Sequence, residues 1–138
     1  MDKALNYLSL ARKGGMAELG EEPVGAITRA GKGYLVLVAS DASDHTWRRA
    51  KSFVAGTDQQ CIRVGFTKDE IGFAIGRQSL AILALTDAAM AASFIKALPD
   101  AAKHAEVAAK LEEKAAKLKQ RKDEAKAHQR NVRFGKKK

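Results

Sequence analysis

Residues 34–39, Tyr-Leu-Val-Leu-Val-Ala, form an apolar run with no alternating polar side chains. Such a run is typical of a strand that is covered on both faces, as in α/β proteins. The glycines at 31 and 33 allow the backbone to turn tightly before it, and Ser40 and Asp41 after it belong to the residue types that cap helices. We therefore predict a central strand here, and a functional surface at the polar loop that follows its carboxyl end.

The other apolar patterns predict three more strands and five helices. The helices are expected over residues 4–12, 20–30, 42–55, 67–76 and 87–98, and the further strands over residues 16–19, 61–65 and 80–85. Thr67 and Glu70 have the spacing of a capping box. This order predicts a three-layer α-β-α sandwich with a four-stranded mixed sheet, in which helix-linked strands pair in parallel through right-handed crossovers.

Charge and cysteine content restrict the class of protein. The 138 residues carry a net charge of +9, which favours a polyanionic partner, RNA or DNA before a membrane surface. The single cysteine, Cys61, excludes an intramolecular disulfide framework and fits a reducing cytoplasm. No apolar run approaches the roughly 18 residues that span a bilayer, so we expect a soluble, unprocessed cytoplasmic protein.

The composition changes at residue 100. Residues 1–99 contain 12 basic and 10 acidic residues and residues 100–138 contain 13 and 6, so the net charges are +2 and +7. We predict a globular domain over 1–99 and a basic tail over 100–138. The tail has a narrow apolar stripe, which predicts a frayed extended helix or a disordered arm. We expect it to bind RNA without sequence preference, the alternative being a solvated extension without a ligand. The candidate residues are Lys119, Arg121, Lys122, Lys126, Arg130, Arg133, Lys136, Lys137 and Lys138.

Several segments together resemble the kink-turn RNA-binding ribosomal protein superfamily, which includes the archaeal seven-Ae and eukaryotic thirty-e proteins. The short bacterial members are the most similar. The resemblance covers about residues 1–98 and rests on the order and spacing of Gly20-Glu21-Glu22, Ile27, Gly31 and the segments 35–42, 67–76 and 80–84. It implies an α-β-α sandwich that binds a sharply bent RNA duplex with tandem sheared G·A pairs.

The resemblance also implies two RNA-binding places. The first is the helix N-terminus at Gly20, Glu21 and Glu22, where free N–H groups suit a phosphate or a base edge. The family motif Gly-x-Asn-Glu-x-x-Lys places Glu22, Pro23 and Ala26 at its Asn, Glu and Lys positions. We expect Arg29 and Lys32 to flank the glycine turn near this site. The second place is the loop with Arg77, Gln78 and Ser79, together with Lys68; the alternative interpretation is a solvated surface loop.

Other candidate residues have structural interpretations that compete with functional ones. His45, His104 and His128 are scattered without carboxylates or thiols at ligand spacing, so we predict no metal site and no cofactor. Cys61 is expected to pack in a strand. Trp47 is interpreted as a packing residue, with base stacking as the alternative.

We therefore expect a non-enzymatic, monomeric RNA-binding protein of the ribosome or the translation apparatus. Its partners would be structured RNA, ribosomal RNA included, and ribosomal or translation-related proteins, with no membrane. The alternative is a protein-interaction module of the translation or RNA-processing machinery whose only RNA contact is non-specific, through the tail.

Overall fold

Four strands and six α-helices follow one another in the computed structural model, which describes the backbone of residues 2–133 and the side chains of residues 2–127. A short 3₁₀ turn, Ala101–His104, precedes the last helix. The elements are α1 (Lys3–Lys13), β1 (Ala17–Leu19), α2 (Glu21–Arg29), β2 (Leu35–Val38), α3 (Asp44–Val54), β3 (Gln60–Arg63), α4 (Lys68–Ile75), β4 (Ile82–Leu85), α5 (Ala88–Lys96) and α6 (Ala105–Arg133).

The sheet is mixed and has the strand order β1-β4-β2-β3. Strand β2 is parallel to β3, and β4 lies antiparallel between β1 and β2. The predicted fold class is confirmed, but parallel pairing of helix-linked strands is correct only for β2 and β3. The two strands with four fully buried apolar residues, β2 and β4, occupy the two interior positions. The two less buried strands, β1 and β3, occupy the two edges.

Local capping interactions set several helix boundaries. The predicted capping box is present: the Thr67 hydroxyl accepts from the Glu70 N–H, and the Glu70 carboxylate accepts from the Thr67 N–H at 2.9 Å. Gly76 ends α4 in the left-handed conformation, with φ +79°. That conformation favours glycine and turns the chain back towards β4.

The helices cover both faces of the sheet. Helices α2 and α3 pack together on β2 and β4, while α1 packs with α4 and α5. The long helix α6 packs against α5.

The first half of α6 has a fixed place in the fold. Ala108 and Leu111 are part of the core, and the Leu111 side chain is only 2% exposed. Burying such a side chain stabilises the fold by about 2 kcal/mol. The expectation that the apolar stripe is too narrow to pack is therefore wrong for this half, because the alanine-rich α5 provides a complementary surface. Every side chain from residue 121 to 127 is exposed, as an extended helix requires.

Candidate nucleic-acid interface

Four chain segments meet where β1, β2 and β3 end and β4 begins. The Gly20 N–H donates to the Ile82 carbonyl at 3.1 Å, and the Ala39 N–H donates to the Ala81 carbonyl at 2.9 Å. The Ser40 N–H donates to the Phe66 carbonyl at 2.8 Å. We call this the α2 end of the sheet, and it comprises residues 20–22, 39–41, 66–68 and 79–82. The first RNA-binding place implied by the family resemblance lies here, and so do Lys68 and Ser79 of the second; Arg77 and Gln78 lie on the loop that leads into this end.

Gly20 directs the chain from β1 into α2. Its φ of +97° lies in the region that favours glycine. As the N-cap residue it has no side chain to accept from the first turn, and no side-chain cap bond forms there. The N-terminus of α2 therefore presents N–H groups with partial positive charge at this end of the sheet.

The two glutamates of the first turn of α2 have different surroundings. Glu21 forms an ion pair with Arg49 of α3, and the Arg49 guanidinium lies 5.3 Å from the centre of the Phe53 ring. Glu22 is exposed, and no described cation lies within ion-pair distance of it. Arg49 thus offsets much of the repulsion that the Glu21 carboxylate would exert on a phosphate, whereas the repulsion by the Glu22 carboxylate remains.

The loop 76–79 is held against α4. Its Arg77 N–H donates to the Gly72 carbonyl at 2.8 Å, and the Leu80 N–H donates to the Lys68 carbonyl at 2.9 Å. A Cβ on Gly72 would lie 2.6 Å from the Ser79 Cα, so glycine is required for this close approach. The loop therefore runs back along α4 with a fixed backbone and presents the exposed residues Arg77, Gln78 and Ser79.

Lys68 begins α4 beside this loop. Its N–H donates to the Asp41 carboxylate at 2.8 Å, which ties α4 to the polar turn after β2. Lys68 itself is exposed. The structure thus brings Lys68 and Ser79 to the same end of the sheet as Gly20.

Arg12 is a cation near the loop that sequence reasoning missed. Its guanidinium donates to the carbonyl of Ile75, at the last turn of α4, and lies beside Gly76. The only signal for it is the basic last turn of α1, which is equally typical of an ordinary helix terminus. Arg12 adds positive charge beside Gly76, the residue that precedes Arg77.

Arg29 and Lys32 lie away from the α2 end. Helix α2 carries the chain to the opposite end of the sheet, where the Lys32 N–H donates to the Ile27 carbonyl at 3.0 Å and Tyr34 enters β2. The expectation that both cations lie near the first site is therefore not met. Their binding of RNA stays a prediction.

Trp47 of α3 packs against the core, and two cations lie near its ring. Lys51 Nζ lies 5.2 Å and Arg63 Cζ 5.7 Å from the Trp47 ring centre. The Arg63 guanidinium also donates to the Ala42 carbonyl at 2.6 Å. This half-buried cluster favours the packing interpretation of Trp47 over base stacking.

Cys61 lies half-buried in β3, as predicted. Burial raises the pKa of its thiol to about 12, with the nearby Lys51 acting in the opposite direction. The thiol is therefore protonated at neutral pH, which disfavours a role as a nucleophile.

The histidines do not converge. His45 is exposed and His104 is half-buried with its Nε2 3.6 Å from the Asp100 carboxylate, while the His128 side chain lies outside the described residues. Among the residues described, no three potential metal ligands of the His, Cys, Asp and Glu types are grouped together. In the same part of the chain, no helix has the length and apolarity needed to cross a membrane.

The predicted cations of the tail follow α6. Lys119, Arg121, Lys122 and Lys126 are exposed on this helix. Arg130 and Arg133 belong to its last turns, and their side chains are outside the described set, as are Lys136, Lys137 and Lys138 altogether. The described part of the tail thus presents its charge from a helix.

Comparisons with known proteins show which proteins have a similar fold. No protein-family model and no curated protein matches this chain. A protein of unknown function from Bacillus halodurans has a similar structure, with a TM-score of 0.66, 26% identity, and coverage of 70% of this chain and 97% of the other. The Giardia lamblia 15.5kD RNA binding protein has a TM-score of 0.59, 17% identity, and coverage of 78% and 83%. The fold is therefore one that an RNA-binding protein also has.

Proposed function

We propose that this protein is a non-enzymatic RNA-binding protein whose α2 end binds a structured, sharply bent RNA of the kink-turn type. The observation that carries the proposal is the bond from the Gly20 N–H to the Ile82 carbonyl, which joins the N-terminus of α2 to the strand that follows the loop 76–79. The likeness to the Giardia lamblia RNA binding protein supports RNA as the ligand.

The two parts of the α2 end offer different contacts. The N–H groups at the start of α2 suit phosphate or base-edge oxygens, and Lys68 and Arg77 suit phosphates. Glu22 is an acceptor only, so it would pair with an amino group on a base edge. The loop adds Gln78 and Ser79 as hydrogen-bonding groups on a backbone that is already ordered, which lowers the entropic cost of binding.

The family resemblance extends the proposal to the cellular setting. We place the protein in the cytoplasm as a monomer that acts with the ribosome or the translation apparatus, through ribosomal or other structured RNA. Arg12, beside Gly76 at the start of the loop, would add a further phosphate contact along the loop that leads into the α2 end.

The test is binding of the full-length protein to a kink-turn duplex and to the same duplex with its G·A pairs replaced by Watson–Crick pairs. We expect tighter binding to the kink-turn. The double variant K68A/R77A should weaken that binding by about 1–3 kcal/mol, because charged contacts to RNA are lost. The control K96A/K103A removes the same charge from α5 and the 3₁₀ turn, where it should have little effect. Equal weakening by both double variants would contradict the proposal.

One observation favours a protein-interaction module as a second candidate. Phe73 on α4 is 75% exposed and lines an open groove of about 540 Å³ together with Leu5, Phe66 and the carboxylates of Asp2, Asp69 and Glu70. An exposed aromatic ring with an acidic rim suits a basic segment of a protein that also has an apolar side chain. Equal affinity for the two duplexes would favour this candidate.

A further inference from the structure

The end of the sheet opposite the α2 end is covered by α6. Leu35, the first residue of β2, pairs with Gln60 at the start of β3 and with Leu85 at the end of β4. Tyr34 therefore lies at this end, next to the turn that contains Asp58. Helix α6 is anchored there by the buried Leu111 and by Lys114 Nζ, which lies 3.0 Å from the Asp58 carboxylate. We call this the α6 end of the sheet.

Two open grooves flank α6 at this end, and Tyr34 and Arg121 line both of them. The smaller groove, of about 390 Å³, is also lined by Thr57 and Gln60, by Lys114 and Lys117, and by the carboxylates of Asp58 and Glu113. The larger one, of about 710 Å³, has an apolar floor of Ala88, Ala115 and Leu118, with Lys119 and Lys122 on its helix side. Each groove thus combines an aromatic ring with cations that project from α6.

The net charge of this surface is positive. Residues 114–122 contain five cations and no carboxylate. Lys114 and Lys117 form ion pairs with Asp58 and Glu113. Among the described residues, no carboxylate lies within 4.0 Å of the side-chain nitrogens of Lys119, Arg121 or Lys122. These three cations are therefore available to a polyanion.

The remaining acidic group of the larger groove, Asp87, has a local role. Its carboxylate accepts from the Met90 N–H at 2.8 Å and caps α5. This bond points the carboxylate towards the α5 N-terminus, so the negative charge there is offset by the helix dipole. The larger groove thus remains attractive to phosphates along α6.

We propose that the α6 grooves bind single-stranded RNA, with phosphates on Lys119, Arg121 and Lys122 and a base against the Tyr34 ring. This inference rests on the proposed function for the identity of the ligand as RNA. A cationic groove with an aromatic ring is the combination that binds single strands, because unpaired bases expose a face that can stack. A duplex buries those faces in its own stack, so the apolar floor of the larger groove would gain nothing from it.

In this binding mode the tail acts as a docked helix and not as a flexible basic arm. A flexible basic arm would bind every RNA through charge alone, whereas a helix docked beside Tyr34 places its cations at fixed distances from a stacking surface. The contribution of a cation to RNA affinity would then depend more on its position along α6 than on its charge alone. Cations of the grooves should contribute more to binding than other exposed cations of the tail.

The test uses the full-length protein and a fluorescent oligouridine of about 12 nucleotides, within the site sizes known for single-strand binders. The variant K119A/R121A should lower affinity about tenfold. The control K103A/K126A removes two exposed cations of the tail that line neither groove, and it should lower affinity about twofold. Equal losses in the two variants would overturn the proposal, because a structureless arm predicts that result.

A second pair of variants tests stacking. Tyr34→Phe keeps the ring and should leave oligouridine affinity within about twofold, while Tyr34→Ala should lower it about fivefold or more. Thermal unfolding, followed by the helix signal, checks that the Tyr34→Ala protein retains α6 docking. If Tyr34→Ala stays folded and binds as wild type, the grooves do not stack a base and the proposal is overturned.

The same experiments separate this inference from the proposed function. Weaker kink-turn binding in K68A/R77A than in K96A/K103A, with equal losses in the two tail variants, would support the α2 end and reject the grooves. A wild-type protein that binds oligouridine through the grooves but does not distinguish the two duplexes would retain this inference and reject kink-turn recognition. Absence of oligouridine binding by the wild type would reject the grooves outright.

Discussion

The two ends of the sheet differ in how shape and charge are combined. The α2 end has an ordered backbone, with an uncapped helix N-terminus and a loop held against α4, but carboxylates lie among its cations. The α6 end has five cations in residues 114–122, against the carboxylates of Asp58, Asp87 and Glu113 in its grooves, and derives its shape from the docking of one helix.

This difference indicates a division of work between the ends. Charge contributes affinity that depends steeply on salt, whereas fixed hydrogen-bonding groups discriminate between shapes. We therefore expect the α2 end to provide selectivity between RNA shapes and the α6 end to provide most of the affinity. The two ends are about 13 Å apart along the four residues of β2, so one RNA with a paired and an unpaired part is long enough to contact both.

The largest effect should come from undocking α6. Leu111→Ala removes most of a side chain that is buried against the core, and the free energy of unfolding should fall by about 2–4 kcal/mol. Oligouridine binding should weaken, because the cations of α6 lose their fixed position beside Tyr34. Kink-turn selectivity should be kept. Denaturant unfolding and binding to both RNAs measure these effects.

The control for this change is Leu10→Ala, since Leu10 of α1 is 53% exposed. It should alter stability by no more than about 0.5 kcal/mol. A similarly small change in Leu111→Ala would mean that α6 does not contribute to the core. The α6 end of the sheet would then have no docked helix to give it its shape.

Much of the α2 end can be predicted from the sequence because its signals are local. The apolar run at 34–39, the capping box at Thr67 and the helix-terminating Gly76 each depend on residues within a few positions of one another. The order of the strands in the sheet is harder to predict from the sequence. The run that forms β4 is as apolar as the run that forms β2, and only the three-dimensional structure shows that β4 lies between β1 and β2.

The α6 end cannot be predicted in this way because its contacts join distant residues. The stripe with Ala108 and Leu111 is narrow by itself, and its burial depends on the surface that α5 offers. The sequence pattern places Tyr34 in a strand, and the grooves beside it form only when α6 crosses that end. The ion pair between Glu21 and Arg49 escapes prediction for the same reason.

An effect of intermediate size should come from changing Gly72 of α4, against which the loop 76–79 packs. In Gly72→Ala the new methyl group would lie 2.6 Å from the Ser79 Cα, so the loop backbone or α4 must shift. We expect a loss of about 1–3 kcal/mol of stability, as for overpacking, and weaker kink-turn binding. Oligouridine binding should not change, because the grooves lie at the other end.

Gly65→Ala is the matched control for this substitution. A methyl group on Gly65 would have no atom within 4 Å beyond its chain neighbours, and the φ of Gly65 is not left-handed, so the methyl group should be tolerated. Thermal unfolding and binding to both RNAs compare the two variants. Reduced oligouridine binding in Gly72→Ala at a temperature where it is folded would contradict the independence of the two ends.

The smallest effect concerns the contact between Asp58 and Lys114. The hydrogen bond and charge of Lys114 lower the pKa of the Asp58 carboxyl below its usual 3.8. The contact therefore stabilises the folded protein above about pH 3.8, and this contribution is lost as the pH falls through the lowered pKa. Because the pair is exposed, Asp58→Asn should cost less than about 1 kcal/mol at pH 7. The difference from wild type should disappear in acid.

Asp58→Asn should lower stability but raise the affinity of the α6 grooves for RNA. Without the Asp58 carboxylate, Lys114 loses its counter-charge, so oligouridine affinity at neutral pH should rise about twofold as long as Leu111 keeps α6 docked. Glu113→Gln, which removes the partner of Lys117 within α6 itself, should raise affinity similarly without altering docking. Unfolding measured from neutral pH down to about pH 3, with binding at neutral pH, tests both effects. A stability difference that persists unchanged in acid would show that Asp58 anchors α6 by something other than its charge.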